Sequence, residues 1–158
     1  VSDFIQLKAA NIAENIAEAL ELVGLLAIEF FVTKEGSLLV NEMAPRPHNS
    51  GHQTIEGNVC SQFDQHLRAI TGQPLGDTSS IANAVMINLL GEEGFEGEAI
   101  YQGLEETLHL PGVYVHLYGK KITKPFRKMG HVTVINQDRA MAIQIAKEVK
   151  EKLKVISK

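Results

Sequence analysis

The chain has 158 residues and a net charge of −4, with 44% hydrophobic and 22% charged residues. That profile belongs to a soluble globular protein long enough to bury a core, and its negative balance gives no support to nucleic-acid or membrane-surface binding. No apolar run reaches the roughly 18 residues of a membrane span, and the single cysteine, Cys60, excludes an internal disulfide and fits a reducing compartment.

The chain starts Val1-Ser2-Asp3 and enters a helical pattern at once, which reads as a stretch of a longer protein. Three- and four-residue apolar spacing predicts a helix over 4–22, capped by Ser2 or Asp3, with Ile5, Ala9, Ile12, Ile16, Ala19, Leu20 and Val23 on one face and Gly24 at C′. Two apolar runs, 25–32 and 37–40, then flank a short polar interruption and predict a hairpin. A two-residue Glu35-Gly36 loop sets Lys34 opposite Ser37 and, counting outward, Glu29 opposite Glu42, on one face with Phe31, Val40, Ala27 and Ala44. Residues 43–58 hold Pro45, Pro47, Gly51 and Gly57 and read as loop. A second helix is expected over 61–70, with Phe63, Leu67 and Ile70 inward, and 73–80 is the best linker.

Beyond the linker, the pattern predicts a strand over 84–90, a short helix over 98–107, a strand over 113–118, a turn at Gly119 into a short strand near Ile122, and a strand over 128–135. Gln137 or Asp138 opens a last helix with Met141, Ile145, Val149 and Leu153 inward. The expected organisation is two domains, 1–80 and 81–158.

Directly opposed residues on paired strands stand about 5 Å apart, and like charges there repel. Glu29 and Glu42 are therefore either solvated acids on an open face or a pair with a cation between them. Both neighbouring faces are apolar, which suggests that the hairpin is covered on both sides, and covered carboxylates need a partner. Magnesium suits such a site better than zinc, since no Cys or His has suitable spacing beside the pair. The loop Pro45-Arg46-Pro47-His48-Asn49-Ser50-Gly51-His52 packs many donors into a stiff segment, and Arg46 offers a planar fork to a carboxylate, bicarbonate or phosphate. It is otherwise an ordinary loop bonded to its own backbone. Lys120, Lys121, Lys124, Arg127 and Lys128 put five positive charges into nine residues, an anion-attracting patch or a solvated turn. Cys60 reads as a buried structural thiol.

The string Glu29-Phe30-Phe31-Val32, followed by Asn41-Glu42-Met43-Ala44 and the Pro45–His52 loop, resembles the ATP-grasp enzymes, and more narrowly the C-terminal part of the N5-carboxyaminoimidazole ribonucleotide synthetases. The resemblance continues through residues 61–72, 86–91 and 127–131. It implies an α+β fold: the C-terminal portion of an ATP-grasp fold, an antiparallel sheet with packed helices, followed by a small β-rich subdomain. It also implies a cytoplasmic ligase of purine biosynthesis, dimeric at full length, that uses ATP and bicarbonate to carboxylate aminoimidazole ribonucleotide through carboxyphosphate. Glu29 and Glu42 match the family's Mg2+ ligands, and Asn41 and Glu42 its ATP contacts. Arg46 matches the arginine that holds bicarbonate or carboxyphosphate. His48, Asn49 and Ser50 resemble substrate-loop residues, and Lys120, Arg127 and Lys128 suit the ribonucleotide 5′-phosphate. The family's N-terminal domain, lid lysine and glycine-rich loop have no counterpart in these residues, so the chain alone is expected to be inactive. A formate-dependent purine transformylase of the same family, whose loop reads more like Pro-His-Asp-Thr-Gly, is the nearest rival. A non-catalytic ATP-grasp-derived binding module is the other.

Overall fold

The computed structural model describes residues 2–158. They form two compact units built from interleaved segments: the first runs to Gly51 and takes in Cys60–Asp77, and the second comprises His52–Val59 and Thr78–Lys158. Among the described residues, no helix is long and apolar enough to cross a membrane.

In the first unit, helix α1 (Asp3–Ala19) half-buries Ile5, Ala9, Ile12 and Ile16, the face its spacing predicts. It stops before the expected end. Glu21 adopts φ 47°, the Leu22 N–H donates to the Ala17 carbonyl and the Glu21 N–H to the Glu18 carbonyl, each at 3.0 Å. These two bonds are a Schellman motif, so C′ is Glu21 and not Gly24, and Ala19, Leu20 and Val23 fall outside the buried face.

Strands β1 (Ala27–Val32) and β2 (Leu38–Ala44) form the predicted antiparallel hairpin. Its loop is one residue longer than expected: the Thr33 N–H donates to the Ser37 carbonyl at 2.9 Å and the Gly36 N–H to the Thr33 carbonyl at 3.0 Å. Gly36 takes the left-handed conformation (φ 79°) that closes such a three-residue loop. The pairing therefore runs Val32↔Leu38, Phe31↔Leu39 and Phe30↔Val40, until Asn41 bulges out and Glu29 meets Glu42. Leu39, not Val40, shares the face of Glu29 and Phe31. The expectation of a sheet covered on both sides fails in this chain, where Phe31, Leu39 and Val40 are all exposed.

Helix α3 (Gln62–Ile70) starts on a reciprocal capping box between Ser61 and Asp64. The hydrogen bonds from Ser61 hold the Asp64 carboxyl below the usual aspartate range. Phe63, Leu67 and Ile70, expected inward, are exposed; the sheltered side carries Gln62, Gln65 and His66 instead. His66 Nδ1 accepts from the Leu25 N–H at 3.2 Å, tying α3 to the approach to β1. The stretch after α3 is pinned. Gln65 bonds the carbonyl and N–H of Gly76 at 2.6 and 3.1 Å, and Arg68 donates to the Pro74 carbonyl at 3.0 Å. Cys60 is buried and free, as expected of a structural thiol.

The second unit holds the main core. Strands β3 (Asn83–Leu90), β7 (Lys128–Asn136) and β5 (Val113–Leu117) form an antiparallel sheet in the order β3-β7-β5. Helix α5 (Arg139–Lys152) is capped by Asp138, as predicted, and packs on that sheet. Met129, Val132, Val134, Ile145, Val149, Leu153 and Val155 are buried between them. Ala142 and Ala146 face inward where Met141 was expected; Met141 is exposed, because small residues let helix and sheet approach closely. The expected helix over 98–107 is overturned for its first half. Strand β4 (Gly97–Gln102) pairs with β8 (Lys154–Ser157) and with β6 (Ile122–Thr123), and only Leu104–Leu108 (α4) is helical. Gly103 (φ 77°) makes the break, and a Cβ there would lie 2.2 Å from the Lys152 carbonyl oxygen. The short helix α2 (Thr54–Gly57) lies against β3 and β7.

Candidate metal and substrate site

Among the described residues, the first unit assembles one cluster with metal-ligating chemistry. The bulge at Asn41 brings Glu42 across from Glu29, and a bulge is a common device for re-aiming a side chain at a site. His48 then approaches both acids, against the expectation that no histidine stands beside the pair: its Nε2 lies 3.7 Å from Glu29 Oε1 and 3.8 Å from Glu42 Oε1. One donor atom from each of Glu29, Glu42 and His48 falls within a 4.8 Å span. Two carboxylate oxygens and an imidazole nitrogen at this spacing fit a divalent cation.

The imidazole sits on a held backbone. The side-chain amide of Gln62, itself buried, accepts from the His48 N–H and donates to the His48 carbonyl, each at 2.8 Å. Gly51 makes that reach possible, because a Cβ at this position would stand 2.4 Å from Gln62 Oε1. Ser50 Oγ is 2.9 Å from His48 Nδ1 and orients the ring from its other side. Asn49 opens the 3-10 turn Asn49–Gly51 that carries Ser50. Arg46, four residues past Glu42, is exposed and donates from Nη1 to the neighbouring Pro47 carbonyl at 3.1 Å. Thus Glu29, Glu42, His48 and Ser50 are brought together, Asn41 forms the bulge beside them, and Arg46 is turned along its own loop.

In the second unit, Lys120 Nζ donates to the Lys128 carbonyl at 2.6 Å and lies 5.8 Å from the Tyr118 ring centroid. Arg127 Nη1 donates to the Ile122 carbonyl at 3.1 Å. Lys120 and Lys128 are neighbours, whereas the Arg127 guanidinium braces the turn.

Sequence reasoning missed a histidine cluster in this unit. His116 and His131 face each other across β5 and β7, rings stacked with centroids 4.4 Å apart, and His52 lies 4.9 Å from His131. Glu56 Oε1 is 2.7 Å from His116 Nε2, and Tyr118 Oη is 3.0 Å from His131 Nδ1. His131 Nε2 and Glu56 Oε2 are buried without a hydrogen-bond partner among the described residues. Burial first, then the neighbouring His116 and His52, lowers the His131 pKa to about 4. The alternation of β7 put His131 on a face with Thr133 and Ile135, but nothing local revealed that His52, Glu56 and His116 meet it there.

Comparison with known proteins agrees in both units. Residues 1–63 match the ATP-grasp domain and residues 84–145 the phosphoribosylaminoimidazole carboxylase C-terminal domain. The N5-carboxyaminoimidazole ribonucleotide synthase of Bacillus subtilis is 47% identical over 140 residues, covering 89% of this chain and 35% of that protein. The crystal structure of the synthetase from Thermotoga maritima superposes with a TM-score of 0.94 at 52% identity, over 100% of this chain and 44% of that one. The Aspergillus clavatus synthase, solved in complex with ADP and 5-aminoimidazole ribonucleotide, gives a TM-score of 0.83 at 34% identity, over 96% of this chain and 40% of that one. The chain spans about a quarter to a third of the length of the curated relatives it matches. It belongs to the ATP-grasp family and carries the part in which the ATP-grasp domain is followed by the phosphoribosylaminoimidazole carboxylase C-terminal domain.

Proposed function

We propose that this chain is part of a purine-biosynthesis ligase that uses ATP and bicarbonate to carboxylate 5-aminoimidazole ribonucleotide to N5-carboxyaminoimidazole ribonucleotide. The observation that carries the reading is the Glu29–Glu42 pair met by His48 on a loop that also bears Arg46. The names of its relatives supply the reaction, and the Aspergillus structure supplies the nucleotide and ribonucleotide.

Glu29 and Glu42 hold Mg2+, which neutralises charge on the nucleotide phosphates when bound. Asn41, in the bulge beside Glu42, faces the ATP. Arg46 holds bicarbonate, then carboxyphosphate, through the planar carboxylate that its fork suits. His48, Asn49 and Ser50 position the acceptor amine, with His48 held by Gln62 and so fixed in place before substrate arrives. In the second unit, Lys120, Arg127 and Lys128 supply positive charge for the 5′-phosphate. A domain boundary between residues 63 and 84, where the two family matches stop and start, suits the organisation expected from sequence. The parent protein is a cytoplasmic homodimer in this reading.

Phosphoryl transfer depends mostly on positioning, and the acids are open to solvent in this chain, with side chains 46% and 61% exposed. The chain by itself is therefore expected to be inactive. The test is turnover by the full-length parent with bicarbonate or formate as the one-carbon source. Aminoimidazole ribonucleotide-dependent ADP release with bicarbonate, and a loss of about 100-fold or more in Glu42→Gln, are expected. Formate-dependent turnover indicates a transformylase, and turnover unaffected by Glu42→Gln a non-catalytic use of the acid pair.

A further inference from the structure

Two sheltered polar side chains of α3 reach the segments on either side of the hairpin. Gln62 and His66 are four residues apart and so share one face of the helix. Gln62, 7% exposed, accepts from the His48 N–H and donates to the His48 carbonyl, each at 2.8 Å. His66 Nδ1 accepts from the Leu25 N–H at 3.2 Å, two residues before β1 begins. Each contact has a glycine opposite it. A Cβ on Gly51 would stand 2.4 Å from Gln62 Oε1, and one on Gly24 would stand 3.0 Å from His66 Cε1. The Ser61–Asp64 capping box fixes the start of the helix, of which Gln62 is the first residue. Only a side chain with both a donor and an acceptor can close this pair of bonds: a carboxylate accepts the N–H and has nothing to donate to the carbonyl, and an apolar chain does neither.

We propose that Gln62 is a positioning residue for the reaction, holding the substrate loop in place from a helix that His66 ties to the approach to β1. The inference rests on the reading of that loop as the holder of bicarbonate and carboxyphosphate, and deepens it. Arg46 lies two residues before the clamped peptide groups, and Asn49 and Ser50 follow them at once. A loop released at His48 therefore loses the placement of these groups together. Glu29 and Glu42 keep theirs, because the hairpin ladder carries them. The defect is selective: bicarbonate and carboxyphosphate are held poorly while nucleotide binding is spared. Carboxyphosphate that escapes its acceptor reacts with water to give bicarbonate and phosphate, so ATP is consumed without carboxylation.

Steady-state kinetics of the full-length parent test this. Gln62→Met keeps the length of the side chain and removes both hydrogen bonds. It is expected to raise the KM for bicarbonate by about tenfold or more, to leave the KM for ATP within about threefold, and to raise the ADP released per carboxylated product above the wild-type ratio. Gly51→Ala displaces the Gln62 amide from the other side and is expected to give the same split. Because both substitutions act through one contact, the double variant should be little worse than either single one. Gln62→Glu keeps the acceptor for the His48 N–H and is expected to recover part of the loss. Far-UV circular dichroism checks that each variant folds, and Gly51→Ala with Gln62→Glu carries the test if Gln62→Met does not. A folded variant with only a lower unfolding midpoint, its bicarbonate KM and product ratio unchanged, overturns the role of Gln62. So does an equal rise in both KM values, or effects of the two substitutions that multiply. A wild-type parent without bicarbonate-dependent turnover overturns the reading of the reaction instead.

Discussion

Acid should unfold the second unit through His131 more than through any surface carboxylate. The ring is 3% exposed, stacked on His116, close to His52, and hydrogen-bonded at Nδ1 to Tyr118, while Glu56 faces His116 from α2. Its pKa falls from 6.5 to about 4 in the fold, with burial the largest cause. A base whose folded pKa lies below its unfolded value is stabilised as the neutral form. Its contribution is complete above about pH 6.5, declines as pH falls, and is gone below about pH 4. At 1.36 kcal/mol per unit, that shift corresponds to at most about 3 kcal/mol. All three tyrosines, Tyr101, Tyr114 and Tyr118, lie in the second unit and the chain has no tryptophan, so tyrosine fluorescence reports this unit selectively. Urea unfolding from pH 7 to pH 4 should show the wild type losing about 2–3 kcal/mol more than His131→Gln. The groups around the ring are common to both proteins and largely cancel in the difference. Parallel pH profiles for the two would refute the linkage.

Three further substitutions test the packing. Gly130→Ala puts a Cβ 2.3 Å from the His116 carbonyl oxygen, so β5 must move off β7; the same fluorescence should show a loss of about 2–3 kcal/mol, and a wild-type midpoint would contradict it. Asp138→Ala removes the acceptor of the Ala140 and Met141 N–H groups at 2.7 and 3.4 Å and should cost about 1 kcal/mol in thermal unfolding. Glu21→Gly relieves a left-handed residue at the end of α1 and should stabilise that end by up to about 1 kcal/mol, read as slower amide exchange in its last turn.

Local pattern carried most of the second unit and less of the first. Where a segment buries its own alternation against neighbours within the same unit, as β3, β7 and α5 do, periodicity placed the strands and the helix within a residue or two. Residues 98–102 misled because Glu98 to Gln102 read as a helical start, while their state is decided by partners far away in sequence, β6 and β8. No local signal announces that pairing. In the first unit the apolar stripe of α3 was legible, and its burial was not. Phe63, Leu67 and Ile70 have helical spacing but stand exposed, and the buried position belongs to Gln62, which works through hydrogen bonds. Composition cannot distinguish an amide that faces water from one that clamps a loop.

The hairpin shows how a correct contact can follow from an incorrect register. A two-residue loop was expected to set Glu29 against Glu42 by simple alternation. The loop has three residues, which shifts the pairs nearest the turn by one and, continued unbroken, would place Asn41 opposite Glu29 and send Glu42 to the other face. Asn41 steps out of the ladder and restores the pairing from Glu29 onward. The two offsets cancel beyond the bulge and not before it, which is why Leu39 replaces Val40 beside Phe31. Glycine at position 36 made the longer loop foreseeable, because its left-handed φ closes three-residue hairpins. The bulge has no such signature, since asparagine is as common in turns as in distorted strands. The juxtaposition of the acids is thus a property of backbone geometry at Asn41, and the approach of His48 to both of them depends on it in turn.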